Sequence, residues 1–200
     1  MESTRTTSVG RFHIAPKQAI HQFGIKSVTY FPRVSGACLH ASTANFLASV
    51  GLPAHKFFSP REDLEHGARR RLDCGPSLRT YLARDGVECP PGAERWEVIG
   101  GFLIAIVALD PESGSVYALS EGESEPLLMH ADVSSLVHAL MVLERGQAEY
   151  RGANRDADAA RDAVVTRMRQ DITTVDPTPF ADHESQWSCL FEELGLGMWG

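Results

Sequence analysis

Cysteine is scarce in this chain and poorly placed for joint chemistry. Cys38, Cys74, Cys89 and Cys189 are the four, and no two stand at CxxC spacing. A zinc ribbon or a redox pair needs that spacing, so neither is expected. Long apolar runs are missing too. The longest covers residues 102–109, eight in all, against about 20 for a helix that crosses a bilayer. The opening MESTRTTSVGRF has no apolar core of the kind a secretory leader carries. Positive charge is in deficit: 19 Lys and Arg against 26 Asp and Glu give a net charge of −7. That balance argues against a phosphate backbone as a direct partner and leaves room for a basic protein. No internal repeat or low-complexity tract stands out. The expectation is a soluble, reduced, cytoplasmic protein with no direct nucleic-acid or membrane partner.

Local motifs for catalysis are also lacking. A dinucleotide loop needs GxGxxG between a strand and a helix, whereas Gly100-Gly101 leads into FLIAIVAL, a strand-forming run. The paired glycines read as a bulge or tight turn. None of the eight histidines forms HExxH. Cys38 and His40 are close in sequence, but a Cys/His hydrolase needs the side chains to meet in space with a third group orienting the base. Glu192 and Glu193 diverge on a helix, while Asp110 and Glu112 belong to a turn. Neither is an acid/base pair. Ser134 and Ser135 follow Asp132, which explains them as a helix start; a serine nucleophile would want a GxSxG elbow. No catalytic residue, cofactor or metal site is expected.

What is present is alternating secondary-structure pattern. VTYF, residues 28–31, reads as a short strand. HASTANFLASVGLP follows, with Ser42 or Thr43 as cap of a helix, Phe46, Leu47 and Val50 on one face, and Gly51 and Pro53 as stops. KFFSP reads as an aromatic pair before a turn. Residues 62–82 are polar and irregular and include the basic triplet Arg69, Arg70 and Arg71, read as a solvated segment. Residues 96–99, 102–109 and 115–119 read as an antiparallel meander with DPESGS as one turn. The middle strand is apolar on both alternating sets, so both of its faces should be covered, and by helices. Three helices should follow. The first is capped by Asp132 and ended by Gly146; the second covers residues 156–170 with Ala157, Ala160, Val164 and Met168 on one side. The third is capped by Asp182, carries Trp187, Leu190, Phe191 and Leu194, and stops at Gly195. The order gives an α+β class: a central, mostly antiparallel sheet flanked by helices, with further helices at the C-terminal end. Residues 1–10 should be a loose segment and 11–200 one domain.

Four blocks carry a family resemblance. FLASVGLP with KFFSP is the first; WEVIGG with IAIVALDPESGSVYAL is the second; HADVSSLVHAL is the third. The fourth is the tail from DADAARDAVV to the Trp-bearing helix ending in Glu-Glu-Leu-Gly. In this order they resemble the SUKH superfamily of SMI1/KNR4-like domains, in its SUKH-4 branch. Asp132 stands where that branch often has Asn, and either residue caps a helix. The blocks span residues 46–199, and residues 61–94 match least. The resemblance implies an α+β domain without catalytic activity: an immunity protein that binds and neutralises a bacterial polymorphic toxin, such as a nuclease or a nucleic-acid deaminase. The alternative is a non-catalytic intracellular adapter that binds a regulatory protein. An enzyme would need a pocket joining Cys38 or a histidine to a second titratable group.

A binder of this kind should act by occlusion, with aromatic anchors and acidic steering residues. The aromatic candidates are Phe57, Tyr81, Trp96 and Tyr117. The acidic candidates are Asp110, Glu112, Glu121, Glu123 and Glu125, facing a basic toxin domain.

Overall fold

A computed structural model describes residues 14–31, 39–61, 77–120, 123, 125–152 and 158–198. The loose start expected over residues 1–10, the basic triplet at 69–71, Cys38, Cys74 and Glu121 lie outside the described residues. The chain is α+β. Helix α1 (Pro16–Phe23) leads to strand β1 (Val28–Thr29), helix α2 (Ala41–Ser49) and strands β2 (Leu52–Pro53) and β3 (Phe58–Pro60). A short helix α3 (Leu78–Ala83) precedes strands β4 (Glu97–Phe102), β5 (Ala105–Leu109), β6 (Val116–Leu119) and β7 (Leu127–His130). Helices α4 (Val133–Gly152), α5 (Asp158–Val175) and α6 (Gln186–Gly195) close the order.

Strands β3 to β7 form one antiparallel sheet in sequence order, and β1 pairs with β2 in a separate two-stranded ribbon. KFFSP is therefore part of the sheet, not the approach to a turn: Phe58 pairs with Phe102 and Pro60 with Gly100. Pro60 is tolerated because β3 is the edge strand. Within β4 the register passes from Val98–Ala108 to Gly100–Val107, which leaves Ile99 as the extra residue of a bulge. Arg61 stitches this bulge: its backbone N–H donates to the Ile99 carbonyl at 2.9 Å and its Nη1 to the Val98 carbonyl at 3.0 Å. The bulge expected near the glycines is there. The tight turn is not, because β4 runs through both glycines and reverses at Leu103–Ile104.

One face of the sheet carries the main core. Ile99, Phe102, Val107, Leu109, Val116 and Met129 pack with the helices there. Helix α4 is buried along nearly all of Val133 to Leu143, as a helix apolar all round must be. It packs against α1, α2, β7 and α5. Asp132 starts it as expected: its Oδ1 accepts from the Ser135 backbone N–H at 2.9 Å and from the Ser134 hydroxyl at 2.6 Å. Gly146 does not end it, because the space beside this glycine holds the Met168 side chain of α5. Helix α6 is capped by Ser185, not Asp182; it ends at Gly195 as expected, and the left-handed glycine follows at Gly197. Its stripe is as read: Trp187, Leu190, Phe191 and Leu194 are buried. Trp187 stacks on Phe102 with ring centroids 4.7 Å apart and joins α6 to the sheet. In α2 the N-cap is His40, and Ser42 and Thr43 sit inside the first turn.

Candidate functional site

Among the described residues, the other face of the sheet is only half covered. Val98, Ala108 and Leu119 form its floor and are buried beneath Leu78 and Leu82 of α3 and Ala93. Ile106, Tyr81, Cys89 and Trp96 are half-buried around them. Among the described residues, the helical cover expected on both faces is thus reduced on this side to the six residues of α3 and the loop before β4. Helix α3 is tied down by the Leu78 N–H, which donates to the Trp96 carbonyl at 2.7 Å, and by its Ser77 cap.

Two recesses flank this cover. The larger, about 760 Å³, has an apolar lining that includes Leu82, Val87, Pro90, Ile106 and Leu119, with Asp85, Glu88 and Glu123 among its polar lining residues. No Lys or Arg lines it among the described residues. The smaller, about 310 Å³, takes in Ser59, Arg61, Tyr81, Gly101 and Leu103. Ile104 and Ile106 are a wall common to both. Ile104 is 82% exposed and Leu103 40%. So the apolar run 102–109 is not all sheet interior: near its start, Leu103 and Ile104 are a hairpin tip.

The sequence candidates fall into three groups. Trp96 and Tyr117 stack, with ring centroids 4.1 Å apart, and both are half-buried on this face. Tyr81 lines the smaller recess and Glu123 the larger. Asp110 and Glu112 sit in the β5–β6 turn. There Asp110 accepts from the Glu112 N–H at 2.9 Å and the Ser113 hydroxyl at 2.6 Å, so its geometry is that of an Asx turn. Glu112 reaches exposed Arg95 only at 4.0 Å. Glu125 is exposed before β7. Phe57 stands apart: it packs against the main core, and its carbonyl accepts from the Leu103 N–H at 2.9 Å. Sequence reasoning missed Leu103, Ile104, Asp85, Val87 and Glu88. An eight-residue apolar run with no turn residue in it was the available signal for the first two.

Burial, then the Asp110 charge, raise the Tyr117 hydroxyl above its ordinary pKa. Burial and Glu94 raise the Cys89 thiol, against the pull of Arg79, so the neutral thiol is favoured there. The strongest titratable pair lies elsewhere, under Trp187. The Asp176 carboxylate accepts from the Ala131 and Thr178 N–H groups at 2.9 and 3.1 Å and is 3.3 Å from His130 Nδ1. Both side chains are sealed, at 0% and 1% exposure, which makes the pair a structural tie between β7 and the end of α5. His40 is engaged by Ser42 and Thr43 at 2.9 and 3.3 Å. Among the described residues no three His, Cys, Asp or Glu side chains are grouped to hold a metal ion, and no helix is long and apolar enough to cross a membrane.

A half-open sheet face with apolar and acidic walls is suited to binding a protein. Comparison with curated proteins and with solved structures gives no match. The family model described as SUKH-4 immunity protein matches residues 14–193, which takes in every described strand and all but the last residues of α6. The chain belongs to the SUKH-4 immunity protein family.

Proposed function

We propose that the chain neutralises a basic toxin domain, a nuclease or a nucleic-acid deaminase, by seating on it and blocking its substrate groove. Family membership over residues 14–193 carries the reading. The half-covered, acid-lined sheet face supports it. A steric block of ordinary size buries roughly 1,600 Å² in total, and this face offers aromatic and aliphatic groups among carboxylates. Trp96, Tyr117 and Tyr81 are its aromatic anchors, and Asp110, Glu112, Glu121, Glu123 and Glu125 steer. Phe57 joins them through the hairpin it supports. The inhibitor acts in the cytoplasm, as a binder and not as a catalyst, and touches neither nucleic acid nor membrane.

The test is co-expression with candidate toxin domains from the source genome, beginning with any encoded next to this gene. Cells carrying both should survive, and the two proteins should purify as one complex. Survival without a complex would point to an indirect route. Death of the cells, with capture of a regulatory protein in place of the toxin, would favour the adapter role.

A further inference from the structure

We infer that the β4–β5 hairpin tip, Leu103 and Ile104, together with the acidic lining of the larger recess, is the part of this face that anchors the toxin; the inference rests on the immunity reading above. The tip is built against local preference. Leu103 has φ of 53°, among the described residues the one non-glycine in the left-handed region. A two-residue hairpin turn that needs positive φ there is met most easily by Gly, Asn or Asp. The sequence instead keeps two large aliphatic residues in water, with Ile104 82% exposed. The tip is also held in place: the Leu103 N–H donates to the carbonyl of Phe57, the residue before β3, at 2.9 Å, so it is fastened before any partner arrives. Strain kept at an exposed apolar site points to use of that site.

Charge identifies the occupant. Asp85, Glu88 and Glu123 line the recess that Ile104 borders, and no cationic side chain joins them among the described residues. The matching surface is an apolar socket ringed by Lys or Arg on the toxin domain. Burying Ile104 in such a socket would exclude water from the ion pairs around it, the arrangement in which a central anchor dominates affinity.

The experiment uses the full chain and the catalytically inactivated domain of a candidate nuclease or deaminase toxin from the same genome. Ile104→Asp should raise Kd by about tenfold or more, and Glu88→Lys with Glu123→Lys should slow association. Ile25→Asp, at a site 66% exposed on the helical side, should leave Kd within about threefold. Thermal unfolding of Ile104→Asp should match the parent, because the side chain it replaces is already in water. Hydrogen exchange in the complex should protect residues 82–91 and 101–106. Retained affinity in all three variants, or protection confined to the helical side, overturns the assignment. So does a dimer of the chain alone that Ile104→Asp dissociates, since the tip would then serve a second copy. A parent chain that does not bind the toxin removes the immunity reading itself, and the anchor with it.

Discussion

Gly100 and Gly101 are neighbours in one strand, yet they answer different demands. A Cβ on Gly100 would stand 2.5 Å from the Ser59 carbonyl oxygen and 3.0 Å from the Phe58 ring, and the backbone of β3 cannot step aside. A Cβ on Gly101 would meet only the Ala105 carbonyl, at an ordinary 3.6 Å. Gly100→Ala should therefore cost roughly 1–3 kcal/mol by overpacking, and Gly101→Ala close to nothing. Urea titration of the two variants checks this, and equal losses would refute it. The histidines make a second prediction. Burial holds His130 below its ordinary pKa although Asp176 pulls the other way. Burial and then Lys56 hold His55 down to about 4, in spite of the Glu144 carboxylate 3.5 Å from its Nε2. Burial and Arg145 lower the buried His138, against Asp171. All three folded values lie below the unfolded one, so the unfolded chain takes up protons first as pH falls. Stability should be level above about pH 7 and decline from about 6.5 towards 4. The slope is at most about 1.4 kcal/mol per pH unit for each histidine that stays neutral throughout. Burial works against the Asp176 charge, but hydrogen bonds from His130, Thr178 and Ala131 outweigh it and lower its pKa. Its contribution is accordingly intact above about pH 4 and is lost only below. Unfolding free energies that stay constant between pH 7 and 5 would contradict the histidine assignment.

Among the elements, α4 offers the clearest local control. Asp132 is 8% exposed and accepts three hydrogen bonds from Ser134 and Ser135, so Asp132→Ala should cost about 1–2 kcal/mol and Asp132→Asn much less. Calorimetry of the pair tests whether geometry or charge matters at this cap. The start of α4 was legible because a cap followed by an apolar stripe is a short-range signal. So was the stripe of α6, and so was the β4–β6 meander. What escaped depends on distant neighbours. Gly146 looks like a stop until Met168, 22 positions on, fills the space beside it. Pro60 looks like a turn until β3 proves to be an edge strand. Strand β7 has only four residues, LLMH, and its His130 is explained by Asp176 rather than by alternation. The site was half visible. Trp96, Tyr117, Tyr81 and Glu123 are on or beside the face, but its most exposed apolar residue was hidden inside FLIAIVAL, since nothing in that run announces a reversal.

For the whole molecule, two kinds of surface feature act on different rates. An excess of seven negative charges sets a long-range field, and such fields act on diffusional encounter. The Ile104 tip is a short-range feature that matters only once the partners touch. If the toxin is basic, its association rate constant should fall by about tenfold or more between roughly 0.05 and 0.5 M salt, where the screening length shrinks from more than 10 Å to about 4 Å. The dissociation rate should change little over the same range. Ile104→Asp should behave in the opposite way, speeding dissociation while association stays within a few-fold, because affinity differences within one interface reside mostly in release. Glu88→Lys with Glu123→Lys should flatten the salt dependence. Surface plasmon resonance at four salt concentrations separates these effects. A salt-insensitive association rate in the parent would mean that the acidic balance serves only solubility, and that the toxin meets this face through apolar packing alone.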